Sequence, residues 1–132
     1  MMALRRLVAV DFDGTCVDHR YPDVGDDVPS AAHVLRQLHA NGWSIILWTM
    51  RSGEPLRDAE EWFASREIPL FGVNGNPEQS SWTESPKAYA QVYVDDAALG
   101  CPMIHNFPGF ARSCVDWAAV AELMLPVEDA ES

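Results

Sequence analysis

The sequence predicts an α/β fold: a three-layer, Rossmann-like parallel sheet with helices on both faces and no separate cap domain. Three observations carry this prediction. Short apolar runs alternate along the chain with stretches of helical spacing, the pattern of a parallel sheet covered on both sides. The apolar runs are continuous rather than alternating, as strands buried on both faces require. Polar residues then follow the runs at one end: Asp11 and Asp13 after the first, Thr49 after the second, Asp95 and Asp96 after the fourth. In open parallel sheets that is the end at which ligands bind.

The elements follow in order. Residues 7–10 are a buried strand that stops at the turn Asp11-Phe12-Asp13-Gly14. Residues 30–40 form a helix, with Ala31, Val34, Leu35 and Leu38 on one face, Pro29 at its entry and Asn41-Gly42 as its stop. Residues 44–48 are the second strand, ending at Thr49. Residues 54–66 form the second helix, with Glu54 and Pro55 early and Leu56, Ala59, Trp62 and Phe63 recurring every three or four positions. Residues 70–73 make a third strand. Residues 74–85, with Gly75 and Pro77, read as a loop leading into a brief helical turn at 86–90. Residues 91–94 are the fourth strand, 103–105 a fifth, and 116–125 a closing helix that buries Val120, Leu123 and Met124. Trp82 lies in the polar loop, beside the expected site, as a substrate contact or a loop anchor. The whole reads as one domain over residues 1–125 with an acidic, flexible tail at 126–132.

A chain of 132 residues, 48% of them hydrophobic, closes one core and is too short for two. Its net charge of -11, from 20 acidic and 9 basic side chains, argues against an extended nucleic-acid-binding surface and against adhesion to an anionic membrane. A phosphorylated substrate is still admissible, because a local cluster of metal and cations can oppose the field of the whole molecule. Cys16, Cys101 and Cys114 show neither metal-ligand spacing nor a disulfide framework, which points to the reducing cytoplasm. The apolar run before Asp11 is too short for a signal peptide or a membrane span. His19, His33, His39 and His105 are scattered and receive no catalytic role.

Asp11 and Asp13, two residues apart at a strand end, leave the backbone on the same side, and Gly14 lets the chain turn sharply after them. Bringing Asp95 and Asp96 to the same edge clusters up to four carboxylates. Such a cluster is costly unless a cation compensates or protons are taken up. Magnesium is the natural compensator, a hard ion held by one or two carboxylates together with a substrate phosphate.

Asp11-Phe12-Asp13-Gly14-Thr15, then Ile45-Ile46-Leu47-Trp48-Thr49, then Lys87, then Tyr93-Val94-Asp95-Asp96 resemble, in order, the four motifs of the haloacid dehalogenase superfamily. Tyr21-Pro22, Trp48-Thr49-Met50-Arg51, Asn76-Pro77 and Gly100-Cys101-Pro102 resemble its compact, capless phosphatase-like branch found in bacteria and phages. The resemblance implies that Asp11 is a nucleophile that becomes an aspartyl phosphate, and that Asp13 is the general acid and then the base for water. It implies phosphate contacts from Gly14, Thr15, Thr49, Arg51 and Lys87, and magnesium held by Asp11, the backbone carbonyl of Asp13, Asp95 and Asp96, the last directly or by a hydrogen bond. The expected activity is magnesium-dependent phosphomonoester hydrolysis.

Larger relatives carry a cap after the first or third strand. Here residues 15–30 and 74–86 are too short for one, so the site is expected to be open, to a small ester or to the terminus of a larger molecule. A homo-oligomer in which a second subunit covers the site is compatible with this. Two rivals stand beside the phosphatase. One is a non-catalytic metal- and phosphate-binding interaction protein. The other is a phospho-receiver-like domain, but there the acidic pair and the phosphoacceptor occupy different strands, whereas Asp11 and Asp13 share one strand end.

Overall fold

In the computed structural model, residues 5–126 are described. The expectation of a flexible acidic tail, for residues 127–132, lies outside the described residues, as do the first four positions. The elements are β1 (Arg6–Val10), α1 (Ala31–Ala40), β2 (Trp43–Leu47), α2 (Gly53–Ser65), β3 (Gly72–Val73), a single 3-10 turn (Gln79–Ser81), β4 (Val92–Val94), β5 (Met103–Ile104), β6 (Cys114–Val115) and α3 (Trp117–Met124).

Four parallel strands form the main sheet in the order β3-β2-β1-β4. It is the predicted Rossmann-like α/β fold, without a separate cap. The chain steps from β1 to β2 to β3 in one direction, so right-handed crossovers place α1 and α2 on the same face. That face carries Val8, Val10, Ile45 and Leu47, which pack with Val34, Leu35 and Leu38 of α1, Ala59 and Phe63 of α2, and Val120 of α3 in one core. Then β4 adds on the far side of β1, and the return path crosses the opposite face. There Leu7, Ala9 and Ile46, alternate residues of the same pleated strands, pack with Ala90, Trp48, Phe71 and Tyr93. On this second face the helical cover shrinks to the one turn Gln79–Ser81. It holds because Gln79 is buried and bonds along the returning chain: its amide donates to the carbonyls of Ser85 and Lys87 and accepts from the N–H of Tyr89.

Several local expectations are corrected. The helical turn lies at Gln79–Ser81, and residues 86–90 are not helical. The fifth strand leaves the main sheet: β5 pairs antiparallel with β6, a two-residue strand that nothing in the apolar pattern announces. Val120 is buried and Met124 half-buried against the core as expected, but Leu123 is 76% exposed, and α3 buries Trp117 and Ala121 on the face that Val120 shares. Asp116 caps this helix, its side chain accepting from the N–H of Ala119.

Strand register is what builds the site. Val10 pairs with Leu47 on one side and with Val94 on the other, and Leu47 pairs with Val73. The last paired row is therefore level across all four strands. The row beyond it reads Asn74, Trp48, Asp11, Asp95, and it is still stitched together: the N–H groups of Asn74, Trp48 and Asp11 donate to the carbonyls of Leu47, Val10 and Val94 at 2.7, 2.9 and 3.0 Å.

Candidate active site

Those four residues, with Thr49 and Met50, line a cavity of about 300 Å³ at the carboxyl end of the sheet. In parallel register a row of partners points to one side, so a level sheet edge delivers two carboxylates, an amide and an indole to one place. Asp11 and Asp95 come from β1 and β4, the adjacent strands at which the strand order reverses, β2 and β3 lying to one side of β1 and β4 to the other. This is the crevice at which doubly wound sheets bind ligands.

The turn after β1 is tightly organised. Phe12 is buried between the two aspartates and packs against Trp62 and Phe63. Its carbonyl accepts from the N–H groups of Thr15, Cys16 and Val17, closing the turn. Gly14 has φ +83°, and a Cβ there would fall on the Asp96 carboxylate and the ring of His19. The Thr15 hydroxyl, fully buried, donates to Asp11 Oδ2 at 3.1 Å and accepts from the N–H of Asp96, also at 3.1 Å. It thereby ties the end of β1 to the end of β4. From behind, Val115 N–H and the indole N–H of Trp117 donate to the carbonyls of Gly14 and Thr15.

Asp11, Asp95 and Asp96 each offer a carboxylate oxygen, all within 4.8 Å of one another. Burial, the charge of Asp95, and a hydrogen bond and charge from Asp96 push the Asp11 carboxyl up to about 8, against a smaller opposite pull from the Thr15 hydroxyl. A carboxyl so displaced holds a proton at neutral pH unless a cation replaces it. The donor set is all oxygen and all anionic, which fits a hard divalent ion. His19, which sequence reasoning set aside, belongs to this cluster: its Nε2 lies 3.0 Å from Asp96 Oδ2. No spacing rule connects the two, because they are 77 positions apart and meet only when the loop after β1 folds over Gly14. Asn74, also unassigned from sequence, accepts from the Thr49 N–H at 2.7 Å through its Oδ1, which leaves its NH₂ for another partner.

Arg51 corrects an expectation. It is 2% exposed, and its side chain donates five hydrogen bonds to the protein, as many as a guanidinium has N–H groups. Nε and Nη2 grip Asp13 Oδ2 and Oδ1 at 2.9 and 2.8 Å, Nη2 also reaches the Asp23 carbonyl, and Nη1 reaches the carbonyls of Pro22 and Pro55. With no donor left over, Arg51 is not a phosphate ligand. Gly14 and Thr15 are corrected for the same reason, since their N–H groups donate to Val17 and Phe12 within the turn. Their part is to hold the carboxylates. Thr49 stays in the cavity, its Oγ1 accepting from the Arg51 N–H at 3.2 Å, so that its own proton is free to donate elsewhere. Lys87 is exposed, its ammonium 5.4 Å from the Tyr93 ring centroid, and among the described residues it pairs with no carboxylate.

Trp82 is not beside the site. It stacks edge-on with Tyr89 and shares a shallow cavity with Arg5, Leu7 and Gln91, at the amino end of β1 and β4. The three cysteines are free, and burial raises each thiol, so none is poised as a nucleophile. Among the described residues no helix is long and apolar enough to cross a membrane.

No protein-family model matches the chain. No curated protein matches it either. The solved structure of a conserved protein coded by a locus from Bacteroides thetaiotaomicron is similar to it, with 32% sequence identity over 96% of this chain and 97% of that one and a TM-score of 0.73. The chain belongs to the family of that conserved Bacteroides protein.

Proposed function

We propose that this protein is a magnesium-dependent phosphomonoester hydrolase that works through an aspartyl phosphate on Asp11, as a capless member of the haloacid dehalogenase superfamily. The observation that carries the reading is the carboxylate triad of Asp11, Asp95 and Asp96 at the sheet edge, with Asp13 two residues after Asp11 on the same turn. Three convergent carboxylates suit a divalent ion, and the second aspartate suits a reaction in which a leaving oxygen must be protonated.

Asp11, Asp95 and Asp96 would hold the ion, with the main-chain carbonyl of Asp13 as a further oxygen. When bound, magnesium supplies the positive charge that keeps Asp11 ionised and offsets the charge of the phosphoryl group. An Asp11 oxygen attacks phosphorus as the ester P–O bond breaks, and Asp13 gives a proton to the departing alkoxide. Water then attacks phosphorus and loses a proton to Asp13. The bond between phosphorus and Asp11 breaks, and inorganic phosphate and the free carboxylate are restored. Thr49, and the Asn74 amide, would donate to the phosphoryl oxygens from the cavity wall.

Among the described residues no folded cap lies above the cavity, which suits a small ester or the phosphorylated end of a larger molecule. Three free cysteines, two of them buried, suit a reducing cytoplasm. Phosphate release from a panel of esters, with and without magnesium, tests the reading against Asp11→Asn. Magnesium-dependent release lost in the variant supports it. No release from any ester moves the weight to a non-catalytic metal- and phosphate-binding protein.

A further inference from the structure

We infer that Arg51 is the positioning residue of the reaction: it fixes the carboxylate of Asp13 so that the oxygen edge turned away from the guanidinium meets the leaving group. This inference rests on the phosphatase reading and deepens it by assigning a role to a residue outside the carboxylate triad.

The argument is one of geometry. A planar guanidinium matched to a carboxylate through two parallel N–H bonds leaves the acid neither rotation nor translation in the plane of the pair. Here the two bonds are 2.9 and 2.8 Å. The guanidinium is itself immobilised. Three more N–H bonds run to the carbonyls of Pro22, Asp23 and Pro55. The ring centroids of Phe12 and Tyr21 lie 4.9 and 5.2 Å from its central carbon. Phe12 is the residue between the two aspartates, so the stack that holds Arg51 is built from the turn that carries the nucleophile. Asp13 keeps one lone pair on each oxygen beyond those used by Arg51, which is enough to take up and hand over a single proton. Preorganisation of this kind contributes through orientation, where misplacement of the order of an ångström is costly.

A packing role alone and a positioning role differ in how the loss depends on the leaving group. The quantity to compare is kcat/KM, which reports the steps up to phosphoryl transfer to Asp11. For p-nitrophenyl phosphate the leaving group departs as a stable anion and needs little protonation, whereas an alkyl phosphate needs the acid. Arg51→Lys keeps the charge but loses the fork. We expect it to lower kcat/KM for the alkyl ester at least about tenfold more than for p-nitrophenyl phosphate, as part of the usual worth of general acid catalysis. Asp13→Asn should show the same selective loss. The double variant should lose no more than the worse single one, as expected of residues acting as a unit.

Thermal unfolding of the metal-free proteins gives a second measurement independent of turnover: the two substitutions should be non-additive in stability, because each removes the same pair. Should Arg51→Lys fail to fold, Arg51→Ala assayed with added guanidinium takes its place, and rescue confined to the alkyl ester is the expected result. Equal losses on both esters, or additive effects in both measurements, overturn the inference while leaving the phosphatase reading intact. Absence of phosphate release by the parent protein from either ester overturns both.

Discussion

Asp96 Oδ2 lies 3.0 Å from His19 Nε2, and the contact passes directly over the bare Cα of Gly14. The end of β4 and the loop after β1 therefore meet across the one residue of the turn that has no side chain. The glycine does two things there, adopting φ +83° and leaving the room in which a carboxylate and an imidazole meet.

Gly14→Ala should accordingly be costly twice, through the backbone conformation and through overlap with Asp96 and His19. We expect a fall in the thermal midpoint of at least about 5 °C and a loss of any stabilisation by magnesium. Differential scanning calorimetry with and without the ion checks both. An unchanged metal response would show that Asp96 does not need its present place.

The displaced carboxyl of Asp11 makes metal-free stability depend on pH in a defined direction. Its pKa is raised from 3.8 to about 8, so between those values the folded protein holds a proton that the unfolded chain has released. That contribution is complete below pH 4, fades as pH rises, and is gone above about pH 8. In the presence of a chelator, the denaturant midpoint should fall across this window. Magnesium must displace the same proton, so its stabilising effect should be larger at pH 8 than at pH 6. A flat profile with chelator would mean that the three carboxylates are not packed as described.

Thr15→Val removes a buried hydroxyl that bridges Asp11 and the Asp96 N–H. A loss of about 1–2 kcal/mol is expected from urea unfolding, since a main-chain donor is left without its partner and the shape is otherwise kept. The cavity itself should persist.

Asp13→Asn should slow turnover at least about a hundredfold while leaving the magnesium-induced thermal shift close to that of the parent, because its side chain faces Arg51 rather than the triad. Unchanged turnover would remove Asp13 from the mechanism.

Trp82→Ala should leave phosphate release within about twofold of the parent, as for surface changes away from a site. Its ring packs on Tyr89 at the amino end of the sheet. A large effect on kcat/KM would contradict that placement.

The parts of this structure legible in the sequence are those that a strand announces by stopping. Val10 and Val94 each end an apolar run, and the residues after them, Asp11 and Asp95, fall into one row because parallel strands with level register place like positions side by side, whereas the second run reads one residue past β2, through Trp48 to Thr49. Hydrophobic runs report such edges directly. They do not report what a side chain bonds to once the chain has folded back. Arg51 reads from sequence as a cation two residues beyond Thr49, and only the arrival of Asp13, Pro22 and Asp23 at its guanidinium shows that it is fully committed. His19 is hidden for the same reason. Trp82 reads from sequence as a neighbour of the site, but the polar loop leaving β3 beside Asn74 descends the second face of the sheet to restart at the foot of β4. Cys114–Val115 is too short a strand for any periodicity to show.

The segment between β1 and α1 is fastened at three separate points. Arg51 holds the carbonyls of Pro22 and Asp23, the buried Asp18 carboxylate accepts from the N–H of Ala111, and Asp27 accepts from the Trp62 indole and from Arg66. Freeing it from Arg51 removes two of the five bonds that immobilise the guanidinium gripping Asp13, so swinging this loop aside loosens the hold on the acid. Its bonded amides, such as those of Asp18 and Val28, should therefore exchange with solvent deuterium about as slowly as those of β1, through whole-molecule unfolding rather than local opening. Entry to the cavity would then be a matter of the substrate's own diffusion and shape, with no breathing step of the protein to wait for.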